Sequence, residues 1–308
     1  MTTREQAYDA KSPAADEQVR RLLERLVFQA NRAARGSSPE AIHDLRVSIR
    51  RAEQALVAFK PLLPRKAVKR IRKQLKPVLS GAGAVRDFDI AIRLLQKIDQ
   101  PAAAELRREI RARRQAAERT LRARLKRLSL RARISQWFAD LQLHALRSES
   151  AAQTRLEAAR SLPRLAQRFF RAGHSALSHD SGEKLHELRI QAKKLRYTLE
   201  LFVPRYGAAM EERIRKIKSV QNVLGKMNDY RIVLAMARDA DCGKKLIAAL
   251  NKSERRRIRQ FRAIWAEQFS ASVIGEWKRA LKTGWHDQKI PRKPVGSSAP
   301  VHDAAARA

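Results

Sequence analysis

A single cysteine, Cys242, stands in 308 residues. Neither a disulfide within the chain nor a multi-cysteine zinc site can be built from it, and a reducing compartment is compatible with it. Aromatic residues make up only 6% of the chain, which is thin provision for the stacking platforms that single-stranded nucleic acids require. Acid is equally short: 31 Asp and Glu face 67 Lys and Arg, for a formal net charge of +36. No run approaches the roughly 18 uninterrupted apolar residues of a membrane span. Met1 to Lys11 lacks the apolar core of a secretory signal, so a cytoplasmic location is expected. No stretch alternates as a half-buried strand would. His174 and His179 have no third ligand at a metal-site spacing, and Ser175 and Ser181 form no nucleophile arrangement with them. Asp87 and Asp229 recur at equivalent places in a repeat; they are read as a helix cap or as partners of an arginine rather than as acid catalysts. What the composition calls for is a polyanion: nucleic acid, an anionic membrane surface or an inorganic phosphate polymer.

What the chain does have is a motif that occurs twice. Ile42-His43-Asp44-Leu45-Arg46-Val47 is followed by Ser48-Ile49-Arg50-Arg51; Leu185-His186-Glu187-Leu188-Arg189-Ile190 is followed by Gln191-Ala192-Lys193-Lys194. The separation of His43 from His186 is that of whole domain halves, far too large for a small solenoid repeat. On a helix, His43, Arg46 and Arg50 share one side, with Leu45, Ile49, Ala52, Leu56 and Phe59 opposite. His186, Arg189 and Lys193 repeat this, with Tyr197 next along the basic face and Leu188, Ala192, Leu195, Leu199 and Phe202 behind. Such spacing sets donors along about 10 Å of helix, a rail for a flexible polymer rather than a pocket for one phosphate. Arginine supplies a fork that can engage two phosphate oxygens, lysine a compact charge, and histidine a donor whose charge follows pH.

The repeat continues beyond the motif. With one position dropped in the turn after Pro61, Leu75 meets Ile217, Val78 meets Val220, Gly83 meets Gly225, Asp87 meets Asp229 and Phe88 meets Tyr230. Helices are expected over 16–35, from Ser38 or Pro39 through His43 to about 60, over 65–80, 87–98 and 102–147. The second half repeats them over 152–178, from His186 to about 202, and over 209–224, 230–239 and 243–282. Pro77 implies a kink or early end, the glycines at 81–83 and at 225 imply breaks, and Asp87 reads as an N-cap. Residues 1–15 and 286–308 read as disordered tails, 16–150 as the first helical bundle and 151–285 as the second.

With its copies aligned, the chain resembles the CHAD family, the conserved-histidine α-helical domain. The carrying motifs are His43-x-x-Arg46-x-x-x-Arg50-Arg51 with Gly83-x-x-Arg86-Asp87-x-Asp89, and His186-x-x-Arg189-x-x-x-Lys193-Lys194-x-Arg196-Tyr197 with Gln221-x-x-Leu224-Gly225-x-x-Asn228-Asp229. The resemblance covers roughly residues 16–283. It implies an all-α fold: two pseudo-twofold-related four-helix bundles with long antiparallel helices around a central basic channel. It further implies a non-catalytic domain that binds inorganic polyphosphate, without metal or other cofactor, and members of the family often sit on polyphosphate granules. The matching positions are His43, Arg46, Arg50 and Arg51, with Arg86, in the first half. In the second they are His186, Arg189, Lys193, Lys194, Arg196 and Tyr197, with neutral Asn228 standing where the first half has Arg86. Arg72, Lys73 and Lys76, and Arg215, Lys216 and Lys218, match only as basic positions. Some family members carry a triphosphate-tunnel catalytic domain in front of this one; with only a short polar stretch before the first helix at Asp16, a stand-alone binding domain is expected. The rivals are a nonspecific nucleic-acid-binding basic protein, with weak nucleic-acid binding compatible with either reading, and a polyphosphate-processing enzyme.

Overall fold

The apolar stripes decide the architecture. In a computed structural model, residues 15–143, 160–178, 181–206 and 208–283 are described, and among them are ten α-helices and no strand. In the first half these are α1 (Ala15–Arg35), α2 (Pro39–Ala58), α3 (Arg65–Leu95), α4 (Pro101–Leu128) and α5 (Leu130–Asp140). In the second they are α6 (Ser161–Ser178), α7 (Gly182–Tyr206), α8 (Ala208–Asp239), α9 (Lys244–Gln268) and α10 (Ala271–Thr283). Ala15, expected in the N-terminal tail, opens α1 and is buried; the rest of the expected tails, the stretch 144–159 and His179 lie outside the described residues.

The packing repeats between halves. α1 lies on α2, α2 on α3, α3 on α4, and α5 returns to α1; α6 lies on α7, α7 on α8, α8 on α9, and α10 returns to α6. The halves meet where α2 faces α7 and α3 faces α8. The main apolar core runs without interruption through both halves, from Val19 and Leu23 to Trp265 and Leu281. A second, smaller core closes the far tips of the long hairpins, joining Leu95, Leu106 and Ile110 of the first half to Val233, Leu246 and Leu250 of the second. Across the α2–α7 seam Phe59 and Phe202 place their ring centroids 6.0 Å apart, the Gln54 amide donates to the Thr198 hydroxyl at 2.8 Å, and Arg51 pairs with Glu200 at 3.3 Å.

Several sequence expectations are corrected. α3 runs unbroken through Pro77, Gly81 and Gly83, and α8 through Gly225. The glycines of α3 answer to packing, not to turning: a Cβ on Gly81 would come within 3.2 Å of the Arg124 guanidinium, and one on Gly83 within 2.7 Å of that of Arg46. Asp87 is therefore mid-helix and caps nothing. α7 continues through Pro204 to Tyr206. The helix expected over 102–147 breaks at Ser129, whose φ of 45° is left-handed and costly for a residue with a Cβ. The break redirects the chain so that Trp137 re-enters the core and donates to Gln74 at 3.0 Å. Likewise the second long helix is interrupted after Gln268, before α10. The N-terminus of α2 does follow its sequence: Pro39 takes the first turn and the Ser38 hydroxyl accepts from the Ala41 amide at 3.2 Å.

Two ionic clamps fix where the motif helices begin. In the first half Arg114 of α4 reaches buried Asp89 of α3 at 2.6 Å and donates to the Ser37 carbonyl, just before α2, at 2.7 Å. In the second half Arg231 of α8 pairs with Glu254 of α9 and donates to the Gly182 carbonyl, at the start of α7, at 2.8 Å. The signs are exchanged: in the register that sets Asp87 on Asp229, Arg231 takes the place of Asp89, and Glu254 stands close to the place of Arg114. Removing one partner strands a buried charge, which costs more than the pair contributes. Arg114→Met is therefore expected to lower stability by about 3–5 kcal/mol, read as an earlier urea midpoint. A midpoint within error of the wild type would show the clamp to be a bystander.

Candidate polyanion channel

The seam between the halves is where the basic stripes meet. Arg46 and Arg50 come from α2, Arg86 from α3, and Arg189 and Lys193 from α7, all half-buried. Their apolar counterparts Leu45, Ile49, Leu188 and Leu195 are fully buried behind them. Burial leaves little water to stabilise these charges, and each also feels the others. Arg46 is pushed down to about 10 by burial and by Arg50, Arg189 and Arg86, with Asp87 opposing. Burial and Arg50 likewise lower Arg189. Lys193 is lowered to about 7 by burial and then by Arg189, Arg50, Arg46 and Arg196. That one cluster contains cations from both halves is what the repeated motif foreshadowed.

Two carboxylates sit among them, one from each half. Asp87 of α3 and Asp229 of α8 are half-buried, and among the described residues neither makes a hydrogen bond or a close ion pair. Burial raises both, Asp229 to about 6, against the opposing pull of Arg189, Arg86 and Lys193. His43 and His186 stand exposed at the start of each stripe; burial and neighbouring arginines lower both, Arg86 for His43 and Arg189 for His186.

Two open clefts flank the cluster and share His186 and Arg189. One, of about 310 Å³, runs between α2, α3 and α7 past Arg50, Arg72, Lys193, Lys194 and Tyr197. The other, of about 500 Å³, runs along α8 past Asn228, Arg231 and Arg238 to Glu254. Other expected positions lie elsewhere. Arg51 bridges to Glu200. Arg196 also holds Glu200, at 2.6 Å, and lies over the Tyr197 ring at 4.3 Å. Lys216 pairs with Glu212 at 3.2 Å. Lys73, Lys76, Arg215 and Lys218 are exposed and line neither cleft. Tyr197, placed by its spacing on the basic face as a stacking platform, is only 6% exposed; Arg196 covers its ring. Asp89 stood in the quoted motif, but its partner Arg114 and the pair of Arg231 with Glu254, which set the geometry, escaped the motif reading. Their signal was the charge exchanged between the aligned Asp89 and Arg231.

Comparison with known proteins bears on the fold and the family. Residues 17–238 match the CHAD domain. The chain belongs to the CHAD family. The CHAD domain from the plant Ricinus communis, a crystal structure, superposes with a TM-score of 0.62 at 21% identity, covering 91% of this chain and 94% of that one. PptA from Streptomyces chartreusis superposes at 0.51 with 18% identity, covering 89% and 100%. These likenesses concern the fold. Two Mycobacterium tuberculosis proteins, MT2285 of strain CDC 1551 and Rv2226 of strain H37Rv, are each 26% identical over 228 residues. The match takes in 70% of this chain and 42% of each of those longer proteins. In this CHAD domain no described helix is long and apolar enough to cross a membrane.

The charge state of Lys193 makes the cost of the cation cluster measurable. Its pKa is lower in the folded chain than in the unfolded chain, so the charged form opposes folding. The opposition is full below about pH 7 and is relieved as pH rises toward 10. Lys193→Met is expected to stabilise the free protein near pH 6, by at most about 5 kcal/mol, with the gain fading by pH 10. A variant that is destabilised, or stabilised equally at both pH values, would show that Lys193 is not held as a strained charge.

Proposed function

We propose that this CHAD domain binds inorganic polyphosphate along the seam between its halves, as a non-catalytic binding domain of the cytoplasm that associates with polyphosphate granules. The observation that carries the reading is the gathering of Arg46, Arg50, Arg86, Arg189 and Lys193, from three helices and both halves, into one half-buried cluster in which burial and neighbouring cations lower Arg46, Arg189 and Lys193. The family is one with polyphosphate-related functions, and a linear phosphate polymer matches a two-ended cleft system. Hydrogen bonds to charged groups contribute about 1.5–3 kcal/mol each, so half a dozen contacts suffice for tight, salt-sensitive binding after ordering costs.

Two rivals fare worse on the geometry. A polyphosphate-cleaving enzyme needs carboxylates free to hold a metal, whereas Asp87 and Asp229 face Arg86, Arg189 and Lys193, which repel a divalent ion. Single-strand nucleic-acid binding needs aromatic platforms on the basic face, and the one aromatic expected there, Tyr197, is buried. A titration at near-physiological salt, with labelled long-chain polyphosphate bound and duplex DNA, RNA and heparin as competitors, separates the readings. Polyphosphate is expected to resist displacement at equal phosphate; displacement in proportion to charge overturns the channel.

Two variants refine the test. Reversing Arg46, Arg50, Arg189 and Lys193 together to Glu is expected to abolish polyphosphate binding while far-UV circular dichroism stays helical; retained affinity in that folded variant sinks the assignment. A bound polyanion favours protonated Lys193, which is largely neutral in the free protein above about pH 7. Affinity is therefore expected to fall with rising pH between 7 and 9, by up to about tenfold per unit from this residue, and Lys193→Arg is expected to flatten that slope. An unflattened slope assigns the titration to another group.

A further inference from the structure

The halves differ at one place along the channel. In the register that sets Asp87 on Asp229, Asn228 stands where the first half has Arg86, and Ala235 where it has Arg93. Two positions on one face of α8, two turns apart, thus exchange long cations for a short amide and a methyl. The space beside them is the 500 Å³ cleft, within the roughly 300–1,000 Å³ range of small-ligand sites.

Its lining differs in kind from the rest of the channel. The floor is Met227, Leu234 and Ala235, which offer a phosphate chain no cation. Its cations stand at the channel end, where His186 and Arg189 serve both clefts, and on its far wall, where Arg231 is held by Glu254 and Arg238 is exposed. Two polar groups there are open to a ligand among the described residues: the buried Nε of Arg189 has no acceptor, and the half-buried Asn228 amide makes no hydrogen bond within the protein. A buried polar group is normally satisfied, so the Arg189 Nε calls for an acceptor. Glu183, on the wall, would repel a bare phosphate chain yet accepts from a hydroxyl or amino group. A phosphorylated ligand with a neutral, flat, hydrogen-bonding head answers all of these at once.

We propose that this cleft binds a nucleoside triphosphate, its phosphates at Arg189 and His186, its base or sugar against the floor of α8, and Asn228 hydrogen-bonded to that neutral part. The proposal goes beyond the polyphosphate reading but shares Arg189 and His186 with it, so the two ligands compete at that end of the channel.

The test compares ATP with inorganic triphosphate by calorimetry, in magnesium-free buffer at fixed salt, on the whole chain. Inorganic triphosphate carries the greater charge density, so charge alone ranks it first. ATP is expected to bind about fivefold tighter or more, the worth of about 1 kcal/mol of added contact. The double variant N228R/A235R copies the first half into the second and fills the cleft. It adds two cations, so electrostatics alone predicts tighter ATP binding, whereas loss of the ATP preference is expected. ATP binding no tighter than inorganic triphosphate in the wild type overturns the proposal, and so does a preference that survives in the folded double variant. Should that variant fail to fold, Ala235→Leu, at an exposed helical position, blocks the same floor and is read the same way. A wild type that prefers ATP but does not bind long-chain polyphosphate supports this inference and overturns the channel reading instead.

Discussion

Mutual repulsion of cations is the constraint on which the rest of this structure depends. Arg46, Arg50, Arg86, Arg189 and Lys193 are brought together from two halves of one chain, with Asp87 and Asp229 among them and Glu53 beside Arg50. Left to electrostatics, the halves would part at this seam. They are held by apolar cores on both sides of it: one continuous core behind the motif helices and a second at the hairpin tips. The apolar burial is non-directional and far larger in sum than the repulsion, so the fold can carry a charge arrangement that opposes it locally. The seam then adds directional contacts at its rim, where Arg51 and Arg196 converge on Glu200 and Phe59 meets Phe202.

The repeat between the halves is one of packing order more than of chemistry. Each half ties the start of its motif helix to the following hairpin by an arginine that reaches a backbone carbonyl and a carboxylate. Yet the arginine sits on α4 in one half and on α8 in the other, with the acid exchanged accordingly. An ion pair depends on the separation of its members and not on which helix bears which sign, so divergence was free to swap them. No such freedom exists at Arg46 and Arg189, where both halves face the same space and need the same sign.

The helices and their buried faces were legible from the chain, because an amphipathic period survives any tertiary context that buries one stripe: Leu45, Ile49, Leu188 and Leu195 all lie where their spacing put them. The central cations were legible for the same reason, as the opposite stripe. The misreadings share a cause. Gly81, Gly83 and Pro77 signal breaks locally, but in α3 they serve neighbours that are distant in sequence: Gly83 admits the Arg46 guanidinium, and Arg124 donates to the Pro77 carbonyl at 3.1 Å. Tyr197 lay within the polar arc of the wheel, and only the fold shows Arg196 lying across its ring. The turn at Ser129 has no glycine to announce it; the burial of Trp137 beyond it compels the left-handed residue.

The distinction that sorts this chain's many basic residues is pairing rather than exposure. Several arginines that serve the fold have a carboxylate supplied: Arg114 has Asp89 and Glu118, Arg231 has Glu254, Arg196 has Glu200, and Arg70 has Asp140. Where cations gather without such partners, as at Arg46, Arg189 and Lys193, the arrangement raises the energy of the free protein, and burial makes the effect larger. Most substitutions at such positions would relieve strain, and a position at which the native residue is a poor choice for stability is a candidate for function. Exposure alone would have ranked the arginine-rich outer faces of α4 and α9 first, since they carry the densest positive charge. Those faces are solvated, screened and cheap to maintain, and so say little. The half-buried, unpaired cations of the seam are fewer, and it is their cost that makes them informative.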